Sequence, residues 1–170
     1  MSADNKIVAP DVCVRTAGPA DFESLHEVDG RVFGELAYPY FTLRQLFDAF
    51  PACWLVAANP TGVVGYSFGL PSTDNTYAWL FGLAVDPNHR NLGYGTRLTR
   101  GTLNLLGTMG VETVHLTVEP ANHAATRLYR TFGFSDAEYR KNYFGAGEDR
   151  LVMTRRVHGI PTPRPDLGQG

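Results

Sequence analysis

Apolar and polar positions along the chain change period several times, and each change marks an expected element. "VCVRTA" (12–17) has the short alternating make-up of a strand, after which Pro19 and Asp21 open a helical pattern with Phe22, Leu25, Val28 and Val32 on one side. The run "FGELAYPY" breaks that period and predicts an irregular loop. Thr42 is the expected N-cap of a short helix, "LRQLFDAF", which Pro51 closes. "CWLVAA" and "VVGYSFGL" flank "NPTG", whose Asn, Pro and Gly favour a turn, so the pair predicts a hairpin. "TYAWLFGLAVD" (76–86) is almost continuously apolar in its second half, as expected of a strand buried on both faces.

Between residues 93 and 109, Leu98, Thr102, Leu105, Leu106 and Met109 recur at helical spacing, and Gly110 stands where a C-terminal glycine belongs. A strand "VETVHLTV" follows, then a helix from Asn122 with Ala125, Leu128, Tyr129 and Phe132 on one face, ended by Gly133. "SDAEYRKNYF" and "RLVMTRRV" predict two last strands around the loop "GAGED". The expected fold is therefore α/β (α+β), with one mixed central sheet of about seven strands flanked by about four helices. A single domain over residues 11–157 is expected. Residues 1–10 and 158–170, rich in Pro, Gly and polar side chains, are expected to be flexible ends.

Composition narrows the function classes. The 170 residues are 44% hydrophobic, enough for one core, and the net charge of -2 leaves no basic field to neutralise nucleic acid phosphates. No apolar run approaches the roughly 20 residues that cross a bilayer, and the start lacks a signal peptide's apolar region. A cytoplasmic protein with no membrane partner is the expectation. Cys13 and Cys53 are isolated and the histidines lack ligand spacing, so neither a disulfide nor a metal is expected.

The candidate chemistry lies in "AVDPNHRNLGYGTRL" (84–98), where an apolar strand stops at Asp86 and Pro87 and a helix begins beyond Arg90, Gly93 and Gly95. A helix N-terminus offers unpaired N–H groups and the positive end of its dipole, and glycines let a phosphate approach the backbone. The same glycines would equally serve a tight strand-to-helix turn. A Walker A loop is excluded because Thr96 and Arg97 follow Gly95. A dinucleotide fingerprint is excluded by Leu98, where a small residue is needed, and by Glu112, which precedes its strand rather than ending it.

"LAVDPNHRNLGYGTRL", followed by "LTVEPANHAATRLYRTFGF", resembles the GNAT superfamily of acetyl-coenzyme A-dependent N-acetyltransferases. The end, "RKNYFGAGEDRLVM", is similar to the branch that acetylates protein N-termini, including the ribosomal-protein alanine acetyltransferases. The resemblance implies acetyl-CoA as cofactor. It places the pantetheine arm along the backbone of Leu83, Ala84 and Val85, and the pyrophosphate on the amides of Asn91, Leu92, Gly93, Tyr94, Gly95 and Thr96, with Arg90 opening the signature. Asn122 would touch the cofactor arm; as a helix N-cap it could hold both roles. Tyr129 matches the general acid, although its apolar face also suits a core tyrosine. A thiolate near ~8.5 and a phenol near ~10 make that donation uphill by only about 2 kcal/mol. The Leu83 amide would stabilise the oxyanion.

One departure from the family pattern bears on the acceptor. Many N-terminal acetyltransferases carry Glu or His five residues before the motif asparagine, and here that position is Thr117, which cannot act as a base. An α-amine near ~7.8 is roughly one-third neutral at about pH 7.5 and a lysine only about 0.1%, so the loss hurts a lysine enzyme more. Glu35 or Tyr143 could deprotonate through water, and Glu119 is expected to be solvated. In the family the acceptor is bound by the loops that correspond to "FGELAYPYF" and "NYFGAGED". Tyr38, Tyr40, Tyr143 and Phe144 are the candidate walls, or simply pack under their loops, and Glu35 offers charge to an ammonium. The expected acceptor is a protein N-terminus, the alternatives being a small-molecule amine or a non-catalytic acyl-CoA-binding module. The chain is expected to be a monomer or homodimer.

Overall fold

Period-two and apolar stretches form strands, and stretches of helical period form helices, in the expected order. The computed structural model describes residues 13–157, so the expected flexible ends lie outside the described residues. The strands are β1 (Cys13–Thr16), β2 (Trp54–Asn59), β3 (Gly62–Pro71), β4 (Tyr77–Val85), β5 (Thr113–Val118), β6 (Ser135–Arg140) and β7 (Arg150–Arg156). The helices are α1 (Phe22–Phe33), α2 (Tyr40–Ala49), α3 (Tyr94–Thr108) and α4 (His123–Thr131). The strands form one mixed sheet in the order β1-β2-β3-β4-β5-β7-β6, in which β4 and β5 run parallel.

The chain resolves into two compact units, whose described parts are residues 13–68 with 82–101 and residues 69–81 with 102–157. In the first, the apolar stripe of α1 buries Phe22, Leu25 and Val28, and α2 buries Leu43 and Phe47. Full burial of each such side chain is worth about 1.5–3 kcal/mol. Their ring partners come from the hairpin: Trp54 stacks on Phe68 with centroids 3.8 Å apart, and Phe47 packs 5.5 Å from Trp54. In the second unit the buried side chains include those of Val114, Leu116 and Val118 on β5, Val152 and Met153 on β7, Leu106 on α3, and Tyr129 with Phe134.

Three local expectations are corrected. Thr42 is not the N-cap of α2, which starts two residues earlier: the extended Pro39 ends the preceding loop, and its carbonyl accepts the N–H groups of Thr42 and Leu43 at 2.9 and 3.0 Å. β4 is not buried on both faces. Ala78, Leu80 and Ala84 are buried, whereas Tyr77 and Phe81 are exposed and Trp79, Leu83 and Val85 half-buried. Alternate residues face the core, Leu80 among them, while Leu83 on the other face stays half-buried, and hydropathy alone cannot separate the two. β6 stops at Arg140, because Asn142 adopts φ 53°, donates its N–H to Asp149 Oδ1 and accepts that of Gly147, which carries residues 141–149 out of the ladder.

Candidate active site

The first unit carries the strand, turn and helix start singled out in the sequence. The ladder between β4 and β5 runs from Tyr77 opposite Thr113 to Leu80 opposite Leu116 and ends there. Among the described residues the edge of residues 82–85 on that side has no strand partner. Beyond it, the N–H of Asp86 donates to Val64 O at 2.8 Å, and the buried Asp86 carboxylate accepts Asn88 N–H at 2.9 Å and Arg31 Nε–H at 2.8 Å. His89 Nδ1 stands 3.5 Å from the same carboxylate. The Asn88 amide and the Arg31 guanidinium hold the Asp86 carboxyl below the usual carboxylate range, against the opposing effect of its burial.

Asn91 and Gly93 then take positive φ, 61° and 82°, which swing the chain into α3. Arg90, Asn91, Leu92 and Gly93 are exposed and Gly95 and Thr96 half-buried, while the Tyr94 ring is 1% exposed and anchors the helix start. A Cβ on Gly93 would meet nothing within 4 Å, so the space in front of the turn is open. The N–H groups of a helix's first turn have no intrahelical acceptor, and among the described residues no protein acceptor meets those of Tyr94, Gly95 or Thr96. Open space before acceptor-free amides at the positive end of a helix fits a phosphate ester, as acetyl-CoA requires.

The second unit carries the other half of the expected residues. Asn122 caps α4, its Oδ1 accepting Ala125 N–H at 3.0 Å, so the capping geometry is present. Seven residues on, Tyr129 is buried with its ring edge-on to Phe134 at 5.8 Å. No protein hydrogen bond reaches its hydroxyl among the described residues. Burial holds the phenol well above the ordinary tyrosine value, which keeps it a neutral O–H but makes donation to a thiolate steeper than the ordinary values imply. Thr117 is half-buried on β5, opposite Val152. Two residues before it, His115 lies against Trp79 and Tyr77, and its pKa is lowered by burial and then by Arg140. Glu119 is exposed.

The candidate acceptor residues fall in two groups. Glu35 is exposed in a 3₁₀ turn, Gly34–Leu36. Tyr38 is half-buried, its ring 6.0 Å from that of Phe68, and burial together with Asp29 raises its phenol to about 12. Tyr40 is exposed and donates to Glu23 Oε1 at 2.7 Å. Arg44 is half-buried with its guanidinium over the Phe22 ring at 4.9 Å. In the second unit Tyr143 and Phe144 stack on each other at 5.2 Å, with Arg140 over one ring and Arg150 over the other. Both aromatics stay exposed, so they are ordered without being buried.

Sequence reasoning passed over Asp29 and the Arg31–Asp86 pair. Asp29 left a signal, because it shares the buried stripe of Leu25 and Val28 at spacings of four and one, where a carboxylate needs partners. Arg31 and Asp86 are 55 residues apart and left none. Among the described residues no helix is long and apolar enough to cross a membrane, and no group of three or more His, Cys, Asp or Glu could hold a metal ion.

An "Uncharacterized N-acetyltransferase" of Methanocaldococcus jannaschii is 27% identical over 151 residues, 88% of this chain and 95% of the relative. The [Ribosomal protein bS18]-alanine N-acetyltransferase of Salmonella typhimurium is 39% identical over 79 residues, 45% of this chain and 53% of the enzyme, so that match spans about half of each. Ard1 from Thermoplasma volcanium superposes with a TM-score of 0.78 at 26% identity, over 86% of this chain and 97% of its own. The fold is also that of a Salmonella typhimurium structure described with acetyl-CoA, at a TM-score of 0.75 and 19% identity over 91% of this chain and 98% of that one. The model of the acetyltransferase (GNAT) family, acyltransferases that use acetyl-CoA, matches residues 21–134, and the chain belongs to that family.

Proposed function

We propose that the protein transfers an acetyl group from acetyl-CoA to a primary amine, by direct attack, and that its acceptor is the α-amine of a protein or peptide. The observation that carries the donor assignment is the mouth of α3, where a positive-φ glycine and unpaired first-turn amides face open space. When bound there, acetyl-CoA supplies the thioester carbonyl and a thiolate leaving group. The amides of residues 91–96 hold its pyrophosphate, with Arg90 beside them. The strand edge at Leu83, Ala84 and Val85 aligns its arm, and the Leu83 N–H meets the charge that develops on the carbonyl oxygen. Asn122 contacts the arm while capping α4. Tyr129, kept protonated by burial, donates its proton to the departing sulfur.

The acceptor assignment rests on Thr117. With no base on that strand position, the enzyme depends on an amine that is already partly neutral near pH 7.5, which describes an α-amine and not a lysine. The bS18-alanine acetyltransferases among its relatives, named for such a substrate, support the same reading. Glu35 draws the ammonium in, and Tyr38, Tyr40, Tyr143 and Phe144 form the walls. The test is release of coenzyme A thiol with a panel of N-terminal peptides and a panel of amine metabolites and antibiotics, with Tyr129→Phe as control. Turnover on peptides alone supports the reading. Turnover on small amines alone moves the acceptor to that class, and binding of acetyl-CoA without turnover on any amine makes the protein a binding module.

A further inference from the structure

One buried carboxylate is not used by this chemistry. Asp29 on α1 is fully buried, and its two oxygens reach in different directions. Oδ2 accepts the backbone N–H of Tyr38 at 2.8 Å, and Oδ1 accepts the hydroxyl of Tyr66 on β3 in a short hydrogen bond. A carboxylate without donors is expensive to bury, so this one is tolerated because two elements bring it donors. Tyr38 stands near the end of the segment 34–39 that carries Glu35. One residue beyond that segment, Tyr40 is tied to the same helix by its hydrogen bond to Glu23. The Tyr66 ring in turn lies against β4: a Cβ on Gly82 would fall 3.1 Å from Tyr66 Cε2, next to Leu83. Burial raises the Asp29 carboxyl, opposed by the hydrogen bonds from Tyr66 and Tyr38 and by the nearby His26.

We propose that Asp29 is a positioning residue that sets the acceptor-side segment 34–39 against β3 and the Leu83 end of β4, through the Tyr38 amide and the Tyr66 hydroxyl. It touches neither substrate. Its effect on catalysis rests on the proposed reading that this segment forms an acceptor wall; the anchoring itself does not.

The experiment uses the full chain and two variants. Asp29→Leu keeps roughly the side-chain volume and removes both acceptor oxygens, so the Tyr38 N–H and the Tyr66 hydroxyl each lose their partner. Tyr66→Phe keeps the ring against Gly82 and removes only the hydroxyl, which leaves a measurable variant if the first does not fold. Hydrogen exchange on the substrate-free protein should show the Tyr38 amide exchanging about tenfold faster or more in Asp29→Leu, with a smaller change in Tyr66→Phe. Steady-state kinetics should then show the KM for the amine rising about tenfold while kcat and the KM for acetyl-CoA stay within about twofold. Unchanged Tyr38 exchange in both variants, or an equal rise in both KM values, overturns the proposal. If the wild type acetylates no amine, the functional reading fails, and the Tyr38 exchange still decides whether Asp29 holds the segment.

Discussion

The starts of α3 and α4, one in each compact unit, are built by opposite means. At α3 the proposed donor seat is backbone: two positive-φ residues, first-turn amides that no protein acceptor meets among the described residues, and open space, with the anchoring Tyr94 ring buried. At α4 the contribution is from side chains: Asn122 caps the helix, and two turns later a single buried phenol is the proposed acid. Backbone geometry of the first kind needs glycine and so writes itself into the sequence. A buried tyrosine looks the same in the sequence whether it packs or reacts.

The largest expected effect comes from the Tyr129 hydroxyl. Tyr129→Phe keeps the ring beside Phe134, so the melting temperature should move by less than about 2 °C. Thiol release should fall about 100-fold or more in kcat, with the KM for acetyl-CoA nearly unchanged. The pH profile sharpens the point. The phenol must be protonated to donate, and burial raises its pKa, so no basic loss of kcat due to Tyr129 should appear below the ordinary tyrosine value of about 10. A basic limb below about 9 that disappears in Tyr129→Phe would show a phenol that burial does not protect.

The next effect separates shared backbone strain from a ligand seat. Gly93 and Gly133 have nearly the same φ, 82° and 80°, one at the mouth of α3 and the other just past α4. Alanine at either position should cost about 1–2 kcal/mol of stability, read as a lowered unfolding midpoint. Only Gly93→Ala should also weaken acetyl-CoA binding in calorimetry, by about tenfold or more. Equal binding losses in the two variants would mean that strain alone, and no seat, explains the first.

How far each half was legible follows from the same contrast. The order of elements and the mixed sheet could be read because strand and helix periods differ, and the α3 turn because Gly93 has few substitutes. β4 was misread because hydropathy counts Phe81 and Ala84 alike, although one is exposed and the other buried. Thr42 looked like a cap because threonine is a good one, yet Pro39 had already turned the chain. The clamp between Arg31 and Asp86 joins residues that no local pattern relates, and only folding brings them to 2.8 Å.

A smaller effect tests the α4 side. Asn122→Ala removes the cap and should cost about 1 kcal/mol, whereas Asn122→Ser should restore most of it. If serine restores stability but leaves the KM for acetyl-CoA raised, the side chain has a second role on the cofactor arm.

The last prediction asks whether the two starts respond differently to acid. The α3 turn depends on a carboxylate: Asp86 holds the Asn88 amide and the Arg31 guanidinium, and its folded pKa is depressed, chiefly by the amide. A depressed carboxyl contributes stability that is present above its unfolded value, near ~3.9, and is lost as pH falls through the lower folded value. The stability difference between wild type and Asp86→Asn should therefore be largest at neutral pH and shrink below about pH 4 in urea unfolding. Asn122 carries no titratable group, so the difference between wild type and Asn122→Ala should stay level over the same range. If both differences shrink together, acid is acting through the global charge of the protein, and the contrast between a charged turn and a neutral cap has no energetic content.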